Sequence, residues 1–315
     1  MSCNSLRLKG VQQNITSDNI SNMLETNLKM YYDWAFLSQL GAWSDVDVPT
    51  SGIYGADFSK LRMVSDPNYT DGQVWETPRK DLVWESDIEY ANYTGGISVP
   101  NTVGNPIVNG VSVSTGYYIN YPQGQIVFTN PVAGTVKLQH AYRTVQIYKV
   151  DDAPWWREIQ QQSFRPDNAQ FQQSESGMWS LFSQYRIQLP AVVIEVAPIG
   201  DADGYALGAD SLRQNRDVLF NVIAETPSER KNLMDIFNAQ VARGLSLFNS
   251  NEALNEWPLD YRGMLTGTKT YPYFVSESGH RWRTCEMQKS TIEEVLQVHP
   301  ALFIATVRTT TSTII

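Results

Sequence analysis

Three histidines (His140, His280 and His299) and two cysteines (Cys3 and Cys285) are the residues on which metal or thiol chemistry would rest. No two histidines stand four residues apart, and neither His-Glu-x-x-His nor Cys-x-x-Cys occurs. First-row metal sites therefore lack their usual ligands. Cys285 has Arg281 and Arg283 nearby in sequence, the electropositive setting that a reactive thiolate needs. His280 or His299 could meet it in space, but its strand-like surroundings suit a buried structural thiol better. Two cysteines also exclude a disulfide framework and a four-cysteine zinc site, and read as free thiols of a reducing compartment.

Oxygen ligands are as incomplete. Asp201-x-Asp203-Gly204 opens like a calcium loop, but the position that needs a bidentate Glu holds Leu212. Asp66-x-Asn68 with Asp71-Gly72 is equally partial, and turn chemistry explains both stretches without an ion. No phosphate-cradling loop, dinucleotide fingerprint or serine elbow is present. Paired carboxylates for glycoside hydrolysis have no fixed spacing in sequence, so they leave nothing to match. Accordingly no catalytic, cofactor-binding or metal residue is assigned, no cofactor is expected, and the chain reads as a non-enzyme.

The aromatic content is the unusual feature: 9 Trp, 16 Tyr and 11 Phe in 315 residues. Such side chains suit sugar stacking, but they serve cores and subunit interfaces more often. Trp43, Trp75, Trp84, Trp155 and Trp156 are taken as candidate anchors at subunit interfaces. The formal charge is −9, which argues against gripping nucleic acid through bulk positive charge. With 42% hydrophobic and 18% charged residues the chain can bury a large core without staples. No apolar run reaches the roughly 18 residues of a membrane-spanning helix, and no secretory signal is expected at the start.

The elements that would position these residues fall into four stretches, together an α+β chain. Residues 1–84 hold a helix over about 18–38, with Ile20, Leu24, Leu28, Tyr31 and Ala35 on one face. Thr16, Ser17 and Asp18 offer capping oxygens, and Gly41 ends the helix. An aromatic-rich extended arm follows over 41–84, to be pinned on a surface by its rings. Residues 85–150 read as a small antiparallel sandwich or barrel, with an Asn109-Gly110 hairpin and strict alternation at Val136, Leu138, His140 and Tyr142. Residues 151–179 form a connector.

Residues 180–315 are expected to form a mixed, mostly antiparallel domain. Ile187–Val196 and Asp217–Ala224 are its first strands. Thr226-Pro227-Ser228-Glu229 then opens a capped helix, with Leu233, Ile236, Phe237 and Val241 on one face. Leu245–Phe248, Tyr271–Val275 and Trp282–Met287 come next. A short helix capped by Ser290 with Glu293 precedes a final strand over 301–315.

In this half, the strand Asp217–Ala224, the helix opening at Thr226–Arg230 and the closing run Leu302–Thr310 resemble the tail-terminator and neck proteins of tailed bacteriophages. The block Tyr117–Phe128 resembles β-modules of structural proteins in contractile-tailed phages. The resemblance implies a virion protein made in the host cytoplasm. It implies a ring, usually six-fold, that joins head to tail and lets DNA pass. Its partners would be further copies of itself and neighbouring neck, portal-side, tail-tube or sheath proteins, with no membrane involved. A baseplate or sheath-associated tail protein is the second expectation. A carbohydrate-binding or hydrolysing β-protein for host recognition is the third.

Overall fold

The computed structural model describes residues 20–48, 58–85, 88–91, 96–163, 171–173, 179–181, 185–204, 212–276, 279–299 and 302–314. Helix α1 (Ile20–Phe36) buries Leu24, Leu28, Tyr32 and Phe36 at helical spacing. It also buries two polar residues, Glu25 and Asn27. The capping oxygens expected at 16–18 lie outside the described residues. The chain leaves α1 through tight turns to Gly41, whose φ of 77° suits a residue without a Cβ. It enters β1 (Trp43–Val46), which pairs with β11 (His140–Arg143).

Between these lie β2 (Arg62–Val64), β3 (Val74–Glu76), β4 (Tyr90–Ala91), β5 (Ile97–Ser98), β6 (Ile107–Val108), β7 (Val111–Ser112), β8 (Tyr117–Asn120), β9 (Gln125–Phe128) and β10 (Val136–Lys137). They form a four-stranded antiparallel sheet ordered β2-β3-β9-β8, a three-stranded sheet ordered β10-β6-β7, and the ribbon β4-β5. Leu61, Trp75, Ile126, Phe128, Val136 and Leu138 fill the core between them. The expected extended arm is thus corrected for its described part. Residues 62–76 supply β2 and β3, and every residue of β3 is buried. Reading Val74-Trp75-Glu76 as a loop failed because the strand is only three residues long. The Asn109-Gly110 turn holds as expected, with positive φ at both residues, the twist that a two-residue hairpin requires.

The rest of the chain builds a six-stranded sheet and a small three-stranded one. Its elements are β12 (Gln146–Lys149), α2 (Pro154–Ser163), β13 (Phe171–Gln173), β14 (Trp179–Leu181), β15 (Tyr185–Ile187), β16 (Ala191–Gly204), β17 (Leu212–Ala224), α3 (Pro227–Asn238), β18 (Gly244–Phe248), α4 (Tyr271–Phe274), β19 (Arg281–His299) and β20 (Leu302–Ile314). β13, β14 and β15 make a separate small sheet. The large sheet is ordered β12-β16-β17-β20-β19-β18; β12 runs parallel to β16 and every other pair is antiparallel. The α+β class read from the sequence is the class observed.

Side-chain alternation gives the sheet two apolar faces. Val192, Ile194, Val218, Phe220 and Val222 meet α1 and α3 on one face. Ala191, Val193, Ile223 and Ile304 meet Trp155, Trp156 and Ile159 of α2 on the other. On the first face Phe220 stacks on Phe237 with centroids 4.5 Å apart, and Tyr32 meets both rings edge-on. Helix α3 begins with the expected capping box, in which Thr226 Oγ1 accepts from Glu229 N at 3.2 Å.

Three expectations are corrected here. The segment around Ser290 is strand, not helix: β19 runs through it in register with Thr309 and Thr310, and the β-branched Thr291 and Ile292 favour that state. Asp201–Gly204 is no turn but the paired end of β16 against Leu212–Asn215. The stretch expected as a plain connector contains α2, whose two tryptophans are core.

Helix α1 touches β12 and β16 at one end of the sheet and β18 at the other. The sheet therefore curls until both ends reach one helix. Asn27 Nδ2 donates to Phe248 O at 3.0 Å, and Phe248 N donates to Asn27 Oδ1 at 2.8 Å. Across the helix, Val196 N donates to Glu25 Oε1 at 2.9 Å, where β16 shifts register.

Candidate functional site

A cavity of about 810 Å³ lies where α1, the 80–85 segment, β12, the start of α2 and the 257–263 loop converge. Ligand pockets commonly fall in the range of about 300–1,000 Å³. Helix α1 presents Lys29 and Asp33 to it, one turn apart and paired to each other. Behind them Arg143, at the end of β11, is buried and joined to two carboxylates. Its Nη2 donates to Glu85, and its Nη1 lies 3.5 Å from Asp81 Oδ1.

The backbone fixes this group firmly. Arg143 N donates to Asp81 O at 3.0 Å, and Asp81 N donates to Pro122 O at 3.1 Å. The side-chain amides of Gln146 and Gln188 both donate to Arg143 O, each at 3.1 Å. Asp81 is held at φ 58°, a left-handed conformation that Asp tolerates better than most residues. Such strain persists only where surrounding contacts over-determine it.

Charge in this setting is costly. Burial pushes the Glu85 carboxyl up to about 7 and Asp81 up to about 6, with Arg143 pulling both back. Burial pulls the Lys29 ammonium down, but Asp33 and Asp81 outweigh it and hold it above its ordinary value. Burial likewise works against the Arg143 charge, and the carboxylates of Glu85 and Asp81 overcome it. Asp81 and Glu85 therefore spend their charge on Arg143 and do not offer it to a bound group. Two buried polar atoms, Asp33 Oδ1 and Arg143 Nε, have no hydrogen-bond partner among the described residues.

Aromatic side chains form the walls. Trp84 and Trp257 are half-buried, and Tyr261 stands 93% exposed at the rim. The 257–263 loop carrying Tyr261 is tied down at both levels. Tyr121 N donates to Gly263 O at 3.0 Å, and Asp260 Oδ1 accepts from Arg262 N and Met264 N.

Of the five tryptophans taken as interface anchors, four are already buried within the chain. Trp43, Trp75, Trp155 and Trp156 are 9%, 6%, 4% and 3% exposed, leaving little area to offer a neighbour. Trp155 still lines the cavity, as does the half-buried Trp84.

The residues considered for chemistry are scattered. His140 is buried with Nδ1 3.1 Å from Leu138 O, and burial lowers its pKa to about 4. His280 lies 3.4 Å from Glu256 and stacks on Phe274. Cys285 is fully buried on β19 beside Thr311 and Thr313, and burial pushes its thiol up. That is the inert setting for a cysteine. Cys3 and the His299 side chain lie outside the described residues. Asp201 and Asp203 are exposed on β16, and no group of three or more potential metal ligands occurs among the described residues.

Sequence reasoning missed Arg143, Asp81 and Glu85, which come from segments about 60 residues apart. The Lys29–Asp33 spacing was the one local signal available. No family model, curated protein or solved structure matches this chain.

Proposed function

We propose that the chain is a structural protein of a tailed-phage virion, forming a ring at the neck or tail terminus that joins head to tail. The observation that carries this reading is the length of the paired strands. β16, β17, β19 and β20 run for 14, 13, 19 and 13 residues, against a usual strand of about five or six. The core accounts for only part of that length. Gly200–Gly204 pairs with Leu212–Arg216, yet Asp201, Ala202, Asp203, Leu212 and Arg213 are exposed. The 200–204 stretch of β16 thus forms an exposed margin of a sheet that β17 and β20 continue, and such a margin suits contact with neighbouring copies in a ring better than support of an internal core. The acidic balance would let DNA slide through such a ring without sticking.

End-decoration of tails tests the reading. Labelled protein added to isolated contractile tails is expected at one tail end, at a fixed copy number. Labelling spread along the sheath, or none, would reject the neck and terminus assignment. A second reading, glycan binding for host recognition, draws on Trp84 and Trp257 in the cavity walls. It predicts glycan-array binding that Trp84→Ala and Trp257→Ala abolish.

A further inference from the structure

The cavity lining carries five bases and five acids, and they pair with one another. Lys29 is paired with Asp33, and Arg143 with Asp81 and Glu85. Nearer the rim, Lys149 lies 3.7 Å from Asp152 and Arg262 lies 3.3 Å from Asp260. Lys80, the fifth base, donates to Gln123 Oε1 at 3.1 Å. A phosphate, carboxylate or ammonium ligand would have to break one of these pairs to gain a partner. It would leave the displaced side chain inside the cavity with an unmatched charge. The lining therefore favours a ligand without net charge, which sets nucleotides aside.

Aromatic rings stand among these pairs. Trp257 rests on Phe248 and Phe274, with centroids 6.1 and 6.0 Å away, and lines the cavity beyond them. At the rim the Arg262 guanidinium lies 5.3 Å from the Tyr261 ring centroid and 5.5 Å from that of Tyr118. The Tyr261 ring is thus held from one side while most of its surface meets solvent. A ligand that fits both features needs an apolar face for the rings and groups that bridge ion pairs without displacing them. Hydroxyls do the second, because each can donate to a carboxylate and accept from an ammonium or guanidinium. A purely apolar ligand would strand the charged lining in a dry site. We infer that the cavity binds an uncharged saccharide and discriminates against acidic ones. The inference rests on the glycan reading, narrows it to one site and one ligand class, and is independent of ring assembly.

Titration calorimetry with neutral trisaccharides of glucose, galactose, mannose and N-acetylglucosamine tests the site, with trigalacturonate as the acidic probe. The parent chain is expected to bind at least one neutral trisaccharide saturably and to refuse trigalacturonate at the same concentrations. Tyr261→Ala changes an exposed ring, so the fold survives, and binding should weaken about tenfold. Asp33→Asn leaves Lys29 without its ion-pair partner and should admit trigalacturonate, with a native circular-dichroism spectrum. Parental affinity in both Tyr261→Ala and Trp257→Leu would put the sugar elsewhere, which overturns the site and leaves the glycan reading standing. Parent binding of trigalacturonate alone overturns the ligand class. An Asp33→Asn chain that folds and still refuses the acidic probe overturns the charge argument. No binding of any trisaccharide overturns the inference, and the glycan array then judges the glycan reading separately.

Discussion

Asn27 and Phe248 exchange two hydrogen bonds, at 3.0 and 2.8 Å, between a helix side chain and an edge-strand backbone. The amide of Asn27 supplies one donor and one acceptor, as the next strand of a sheet would. It thereby closes the β18 end of the curled sheet without a seventh strand, and its burial is complete. Asn27 Nδ2 also donates to Met23 O at 2.8 Å, which fixes the rotamer.

Asn27→Leu preserves bulk but strands both Phe248 groups. Each unsatisfied buried group costs about 1–3 kcal/mol, so a loss of about 2–6 kcal/mol is expected. Urea unfolding monitored by tryptophan fluorescence measures it. A loss under about 0.5 kcal/mol would mean that water or a shifted helix replaces the amide.

Glu25 makes stability depend on pH. Burial raises its carboxyl from 4.5 to about 7, while Val196 N–H opposes the rise. The folded state therefore keeps a proton that the unfolded chain releases. Its contribution is full below about 4.5 and is lost as pH rises through about 7. Glu85 and Asp81 act in the same direction. His140, depressed to about 4, acts oppositely: its contribution is present above about 6.5 and is lost as pH falls through 4. Glu25→Gln should flatten the decline in unfolding free energy between pH 5 and 8 by about 2–3 kcal/mol. An unchanged slope would remove Glu25 as its source.

Much of the fold was legible where chemistry is local. The Thr226 capping box, the Asn109-Gly110 hairpin and the Thr- and Val-rich run of β20 are written within a few residues. The curl of the sheet is not, because it depends on Asn27 reaching a residue 221 positions away. The Ser290 segment misled for the same reason: its capping pattern is local, and its pairing partner Thr309 is not. The cavity was illegible as well. Arg143 meets Asp81 and Glu85 only because β11 and the 80–85 segment pack together, and no spacing encodes that. The tryptophans show the limit of composition, which counts rings but not the side they face.

Phe237→Ala removes a ring stacked on Phe220 in the main core and leaves a cavity beneath Tyr32. A loss of about 3–5 kcal/mol is expected from calorimetry or denaturant titration. Thr226→Ala removes one helix cap and should cost about 1 kcal/mol, with Thr226→Ser restoring it.

Cys285 should resist thiol reagents in the folded chain and react fully once the chain is unfolded in guanidinium. The comparison is best made in a Cys3→Ser background. Rapid labelling of the native protein would contradict its burial on β19.

The ring is the central claim, and light scattering joined to negative-stain imaging of the same fraction tests it most directly. The account predicts closed rings with a central hole and a mass that is a whole multiple of the chain. A monodisperse monomer that neither assembles nor decorates tail ends, and instead binds glycans, would contradict it.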